Sequence, residues 1–166
     1  LSHFWDISPI KIPPFGPEQW RALVLGLFPD VDILGDPTNV WIGERHDSGD
    51  PVQASHWRTP AQWQACDGYP GDLLSLCCWR PGSYSRQRQN ILYPSEYLLV
   101  ESDSLPIMAQ ANVIEYLRGH LKLRAVIHSG GKSLHAILEK PQPAPVTKAT
   151  ESPEWDAWRK LTCEYE

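Results

Sequence analysis

The sequence predicts a mixed α/β (α+β) fold, because segments with helical periodicity alternate with short apolar runs typical of strands. The clearest helical segment is 17–28, in which apolar side chains recur at i, i+3, i+4, i+7 and i+8: Trp20, Leu23, Val24, Leu27 and Phe28. The clearest strand candidates are 97–103, 121–127 and 133–139. An apolar content of 42% with 8 Trp in 166 residues is sufficient for a buried core.

The first part of the chain is predicted to contain an arm, two helices and two strands. Residues 1–15 include two adjacent prolines and are expected to be extended, anchored by Phe4, Trp5 and Ile10. Pro17 suits the first turn of the helix at 17–28, and Pro29 ends that helix. Further elements are expected as a strand at 40–42, a short helix from the Thr59-Pro60 cap to Cys66, and a strand at 73–79.

The second part begins with the strand 97–103, which a helix starting at Pro106 follows. The inner face of this helix is predicted to be Ile107, Ala111, Ile114 and Leu117, and Gly119 is expected to end it. Strands at 121–127 and 133–139 are joined by a turn at Gly130-Gly131. A proline-containing linker at 141–151 then leads to a helix with Trp155 and Trp158.

This order predicts two portions, an N-terminal α/β portion at 1–90 and an RNA-recognition-motif-like portion at 91–166. The second portion would lack its last strand, so we expect it to be truncated at its C-terminus.

Charge and composition limit the classes of function. The net charge of −5 gives no general electrostatic attraction to nucleic acid, although a local basic groove is compatible with it. No apolar run approaches the roughly 18 residues of a membrane span, and no signal peptide opens the chain, so we expect a cytoplasmic protein without a membrane partner. The 4 Cys lack paired metal-binding spacing and are expected to be reduced thiols.

Two carboxylates follow the apolar run that starts at Tyr97. Residues two apart on a strand point to the same face, so Glu101 and Asp103 are predicted to project side by side from the end of a buried strand. Hard divalent cations require several oxygen ligands within a few ångströms. The pair therefore predicts a site for Mg²⁺ or Mn²⁺.

A second candidate site follows the glycine turn. Ser133 and His135 alternate on one strand face, and with the neighbouring Lys132 they are predicted to hold nucleotide phosphates. Gly131-Lys132-Ser133 resembles part of a P-loop, but the required earlier glycine is replaced by Val126, and a strand rather than a helix is expected to follow. The P-loop interpretation is therefore excluded.

The cationic segment 83–90 precedes the carboxylate strand. A solvated loop is the simplest interpretation of this segment. The alternative is a phosphate or template contact through Arg86, since arginine forks suit phosphate oxygens.

The motifs Glu101-Ser102-Asp103 and Ser133-Leu134-His135 resemble those of the archaeo-eukaryotic primase (primase–polymerase) superfamily, especially the primase-like domains of phages, plasmids and other mobile elements. The resemblance implies a primase-like core that performs template-directed nucleotidyl transfer for replication of such an element. In that family the first and third motifs together hold two Mg²⁺ or Mn²⁺ ions, so Glu101 and Asp103 would be metal ligands. Ser133 and His135 would contact an incoming NTP or dNTP with Lys132 assisting, and His135 would join the carboxylates as a catalytic residue. A single-stranded DNA template, a helicase domain or protein encoded alongside, and a bacterial host cytoplasm are implied as well.

Two departures from that pattern leave alternatives open. The first acid is Glu rather than the usual Asp, and the third acid of the family has no clear counterpart among Glu139, Glu154 and Asp156. An inactive nucleotide- or nucleic-acid-binding replication module is therefore the second hypothesis. A metal-dependent nuclease is the third, although a nuclease would have no use for the Ser133 and His135 phosphate contacts. We expect the isolated chain to bind nucleotide with metal but to synthesise primers weakly or not at all.

Overall fold

A computed structural model describes residues 2–13, 18–29, 38–44, 54–68 and 70–141. The α-helices within these ranges are α1 (Ser2–Ile7), α2 (Glu18–Leu27), α3 (Pro60–Gln64) and α4 (Ile107–Arg118). The strands are β1 (Asn39–Gly43), β2 (Trp57–Arg58), β3 (Leu73–Trp79), β4 (Ile91–Tyr93), β5 (Tyr97–Val100), β6 (Leu123–His128) and β7 (Leu134–Glu139).

The strands form two antiparallel sheets, so the fold is α+β. The first sheet has the order β2-β1-β3-β4 and the second the order β5-β7-β6. In the second sheet β7 is antiparallel to both neighbours, so β5 and β6 run parallel with β7 inserted between them. This is a split β-α-β arrangement, in which α4 makes the crossover from β5 to β6. The change of sheet falls at residues 94–96.

One hydrophobic core is shared by both sheets and holds α2. The apolar stripe of α2 is buried as its periodicity predicted, and it packs with Val40 and Ile42 of β1 and with Trp63 of α3. Ala125 and Ile137 complete this core from the second sheet. Two hydrogen bonds fix the end of α2 on the second sheet. Arg124 donates to the carbonyl of Gly26 at 2.7 Å, and the Tyr97 hydroxyl donates to that of Leu27 at 2.7 Å.

A second core covers the opposite face of the β5-β7-β6 sheet. Leu134, Ala136 and Leu138 of β7 point into it and meet α4 and Phe4 of α1. Ile137 points the other way, into the core that holds α2. The strict alternation along β7 therefore separates the two cores. His135 is two residues before Ile137 and lies on the α2 side of the sheet.

Three tryptophans cover the other face of the first sheet. Trp41, Trp57 and Trp79 are all buried, and the rings of Trp57 and Trp79 meet edge to face with centroids 5.5 Å apart. The guanidinium of Arg86 lies over the ring of Trp41 at 4.3 Å. The cation–π contact holds the cationic segment against this face.

Several predicted elements are confirmed, and the short helix α3 is the clearest case. Thr59 caps it in a full capping box with Gln62, and Pro60 occupies the first turn, as the sequence predicted. The predicted linker at 141–151 and the helix after it fall almost wholly outside the described residues.

Three features differ from the sequence predictions. Residues 2–7 form helix α1 rather than an extended arm, because Phe4 is buried against α4 and His3 contacts Glu115 at 2.5 Å. The short strands β2 and β4 were not predicted. The strand from Tyr97 ends at Val100, and it is only partly buried, with Leu99 48% exposed.

The cysteines provide a test of the packing. Cys66, Cys77 and Cys78 are free thiols, and burial raises the pKa of Cys78 to about 11 from an ordinary value of 9.0. Because the folded pKa is raised, the neutral thiol stabilises the fold below pH 9.0, and this contribution is lost as the pH rises through about 11.

We expect iodoacetamide at pH 8 to label Cys78 far more slowly than the half-buried Cys77, as measured by peptide mass spectrometry. Equal labelling rates in the native protein would contradict this placement, whereas unfolding in denaturant should make them equal.

Candidate functional site

The pairing of β5 with β7 joins the two sequence motifs. Val100, the last residue of β5, is opposite Ala136, so the residue that follows β5 and the residue before Ala136 in β7 meet at the same end of the ladder. These residues are Glu101 and His135, and Glu101 Oε2 lies 3.1 Å from His135 Nε2. Glu101 is 48% exposed and His135 is 30% exposed in their side chains, so both can reach a ligand from solvent.

Ser133 contacts the same ring nitrogen. Its Oγ lies 3.1 Å from His135 Nε2, and the Ser133 hydroxyl donates to Ser129 Oγ at 3.1 Å. Ser133 is buried at 5% exposure, so its hydroxyl is held between these two neighbours. Sequence alternation therefore correctly predicted that Ser133 and His135 share a face.

These contacts indicate which ring nitrogen of His135 carries a hydrogen when Glu101 is ionised. An ionised Glu101 accepts hydrogen bonds only, so Nε2 must carry a hydrogen to donate to it. Ser133 already uses its own hydrogen toward Ser129 and can accept from the ring. In a serine-protease relay the acid and the nucleophile occupy opposite ring nitrogens, whereas here Glu101 and Ser133 share one. The arrangement therefore gives no support to a serine hydrolase.

Ser129 organises the glycine turn, and the sequence analysis had assigned it no role. Its Oγ accepts from the Ser133 amide at 3.3 Å and from the Gly131 amide at 3.4 Å. Gly130 has a φ of 81°, a left-handed conformation that favours glycine, and its amide donates to His128 Nδ1 at 3.1 Å. Only the first glycine of the pair has positive φ. The Ser129 hydroxyl next to the glycine pair was the available signal in the sequence, but composition alone did not reveal its role in the turn.

Asp103 differs from its predicted position. The strand has ended by Val100, and Asp103 lies in a bend rather than on the same strand face as Glu101. The side-by-side geometry expected from strand alternation therefore does not apply to it, although Asp103 is exposed and only two residues from Glu101. Within the parts of the chain that the structure describes, no group of three or more His, Cys, Asp and Glu is placed to hold a metal ion.

Lys132 and Arg86, the two cationic residues predicted to contact phosphate, lie in different parts of the structure. Lys132 lies in the glycine turn next to Ser133, and its side chain is exposed. Arg86 belongs to the tryptophan face of the first sheet, through its contact with Trp41. No hydrogen bond or ion pair joins Arg86 to Glu101, Ser133 or His135 in the described structure, so a role for Arg86 in nucleotide binding stays a prediction.

Glu139 occupies the far end of β7. It pairs with Lys122 at 2.9 Å and with Arg124 at 3.2 Å. It is four positions along the strand from His135, which corresponds to roughly 13 Å at about 3.3 Å per residue. Glu139 is thus a structural ion-pair partner in this conformation, and the other two candidates for a third acid, Glu154 and Asp156, lie outside the described residues.

Gln110 is a buried polar residue that the sequence analysis overlooked. It lies on α4 at 4% exposure, and its side chain bonds to the main chain of both motif segments. Its Nε2 donates to the carbonyls of Leu105 at 2.7 Å and Lys132 at 3.0 Å, and its Oε1 accepts from the Leu134 amide at 2.7 Å. Position 110 falls within the apolar stripe of α4, three residues after Ile107 and four before Ile114. A glutamine at a core position was the available signal.

The chain matches no protein-family model, and no curated protein or solved structure shows significant similarity to it. Among the described residues, no helix combines the length and the apolar character needed to cross a bilayer.

Proposed function

We propose that the protein is a primase-like nucleotidyltransferase that extends or starts a chain on a single-stranded DNA template with NTP or dNTP. The observation that carries the proposal is the contact of Glu101 with His135 at 3.1 Å, which unites the carboxylate motif with the Ser-x-His motif. The split β-α-β order of the second sheet is compatible with the RNA-recognition-motif-like half that such a core contains. Replication of a mobile element in a bacterial cytoplasm, beside a helicase, is the setting that we infer from the sequence resemblance.

In this proposal the Nε2–H of His135 is the principal donor to a nucleotide phosphate. Without ligand, the ring donates from Nε2 to the Glu101 carboxylate, so each group satisfies the other. When Glu101 turns to a cation, the Nε2–H of His135 is left to donate to a phosphate oxygen. Binding of phosphate and binding of cation would then favour each other, because each ligand replaces one half of the existing pair.

The remaining groups would position the phosphates. Ser133 stays fixed by Ser129, and its contact with the ring keeps His135 in one rotamer. Lys132 is exposed at the edge of the turn, where its ammonium can approach a phosphate from solvent. A general base for the attacking 3′-hydroxyl is not needed if the carboxylates and a cation lower the pKa of that hydroxyl.

The donor set suits Mg²⁺ or Mn²⁺. Glu101 presents a partly exposed carboxylate, and Asp103 offers a second carboxylate two residues along the chain. Hard cations of this kind are commonly held by one or two carboxylates together with substrate phosphates and water. Such an ion would supply neutralisation of the phosphate charge and activation of the nucleophile.

The test is incorporation of labelled NTP or dNTP on a single-stranded template with Mg²⁺ and with Mn²⁺, accompanied by nucleotide titration. His135→Ala should weaken nucleotide binding by roughly 1–3 kcal/mol, about 5- to 150-fold, the loss expected for a charge-assisted hydrogen bond. His120→Ala is the matched control, since this exposed imidazole stacks on Tyr116 at the end of α4. Equal nucleotide affinity in the parent and the His135 variant would contradict the proposal.

A second candidate is a nucleotide-binding replication module without chemistry. The bend at Asp103 and the lack of a third acidic residue at the site, within the described ranges, favour it. Nucleotide binding that depends on His135, without any incorporation by this chain or by a version extended beyond Glu166, would support this candidate over the polymerase.

A further inference from the structure

We propose that Gln110 is a positioning residue that sets the spacing between the carboxylate segment and the glycine turn. The inference rests on the proposed function for its ligand, but its geometry is independent of that function. Gln110 is the point at which α4 contacts the main chain of Leu105, Lys132 and Leu134. Leu105 closes the loop that contains Glu101 and Asp103, and the other two flank Ser133.

The three hydrogen bonds use three polar positions of one amide. Nε2 provides two N–H groups, one for each loop, and Oε1 accepts from the buried amide of Leu134. The two donated bonds go to segments 27 residues apart in sequence, so the amide links the glycine turn to the loop that leads directly into α4. The rotation of each loop relative to the other is thereby limited.

Position 110 would accommodate an apolar residue on packing grounds alone. Ala111 and Ile114 on the same helix face are buried among Leu134 and Ala136. A buried amide is costly unless it is fully hydrogen-bonded, and here its three bonds satisfy it. The geometry thus points to a role for the amide group beyond filling the core, because a Leu or Met could fill it.

Two substitutions at position 110 remove different subsets of these three hydrogen bonds. Gln110→Met keeps the volume and removes all three bonds. Gln110→Glu keeps the acceptor for the Leu134 amide and loses at least one of the two donations, since a carboxyl group has at most one hydrogen to give to Leu105 and Lys132. The control is Ile114→Ala, which makes a cavity one turn along the same buried face without altering any bond to the loops.

The first measurement is the dissociation constant for nucleotide with Mn²⁺, at a temperature at which every variant is folded by circular dichroism. Both Gln110 variants should raise the dissociation constant at least about tenfold, because loss of a group that orients ligand-binding residues typically costs about 10–100-fold in metal affinity or activity. Ile114→Ala should lie within about twofold of the parent, since stability alone does not alter binding by the folded state.

The second measurement is amide hydrogen exchange, which does not require nucleotide. Gln110→Met should accelerate exchange at Leu134 and in the turn at 129–133 by at least about tenfold, while the centre of α4 is unchanged. Gln110→Glu should leave Leu134 protected and accelerate the turn alone. Ile114→Ala should raise exchange in α4 without this selective effect on the turn.

The two measurements distinguish the possible failures. Parent-like affinity in both Gln110 variants, with nucleotide bound by the parent, would overturn the positioning role and leave the proposed function standing. Absence of nucleotide binding in the parent would overturn the proposed function. In that case selective exchange in the turn would still support the positioning role, and exchange that rises equally in the Ile114 control would overturn it.

Discussion

Trp63→Ala is expected to lower the free energy of unfolding by about 4 kcal/mol, the largest stability loss that we predict for a single substitution. Trp63 is 1% exposed and lies in the core that both sheets share. Its Nε1 donates to the carbonyl of Val40 at 2.9 Å, and its ring meets that of Trp20 edge to face at 5.5 Å. Truncation therefore leaves a large cavity and a buried carbonyl without its donor.

The measurement is denaturant unfolding followed by circular dichroism, with Trp5→Ala as the matched control. Trp5 is 47% exposed, so its truncation should cost less than about 1 kcal/mol. Because single domains have only about 5–15 kcal/mol of net stability, the Trp63 variant should be partly unfolded at moderate temperature. Similar midpoints for the two variants would show that the shared core is not packed as described.

Glu101→Gln combined with Asp103→Asn is expected to weaken Mn²⁺-dependent nucleotide binding by at least about a hundredfold. Even residues that only orient metal ligands cost roughly 10–100-fold when they are replaced, so removal of both charges should exceed that range. The measurement is calorimetric titration of nucleotide with and without Mn²⁺. The fold should persist, because both side chains are largely exposed.

The control for net charge is Asp6→Asn combined with Glu96→Gln. These exposed carboxylates lie on α1 and next to the opposite end of β5, so the same change in total charge occurs away from the site. This control should bind Mn²⁺ and nucleotide as the parent does. An equal loss in both double variants would indicate a general charge effect, and unchanged binding in the first would refute a metal site at Glu101 and Asp103.

Periodicity predicted the parts of the fold in which one face of an element is buried. The stripe of α2 is an example, because five apolar residues at helical spacing indicate both the helix and its buried face. Strand β7 is another, since its alternation places Ser133 and His135 on the face opposite Leu134 and Ala136, which are buried against α4. Helix α1 could not be predicted in this way, because its formation depends on the packing of Phe4 against α4, which lies more than 100 residues later in the chain.

The sequence predicted which residue pairs form the candidate site but not the hydrogen bonds that hold the surrounding segments together. The neighbouring placement of Glu101 and His135 required only that β5 and β7 be adjacent, and the structure confirms that condition. The prediction that Asp103 shares a strand face with Glu101 was wrong, because strand alternation was extended past Val100, where the strand ends and a bend follows. Gln110 and Ser129 were missed because most of their partners are main-chain atoms, which leave no pattern in the sequence.

The strand order of the second sheet affects the sequence of events during folding. His128 pairs with Leu134, only 6 residues later, so the β6-β7 hairpin closes a short loop. Val100 pairs with Ala136, 36 residues later, and closure of this longer loop costs about 1.6 kcal/mol more in chain entropy. The hairpin should therefore form first and present Ser133 and His135 before any carboxylate is near them. Glu101 arrives only with the docking of β5, so the contact between the two motifs is a late event on the folding pathway.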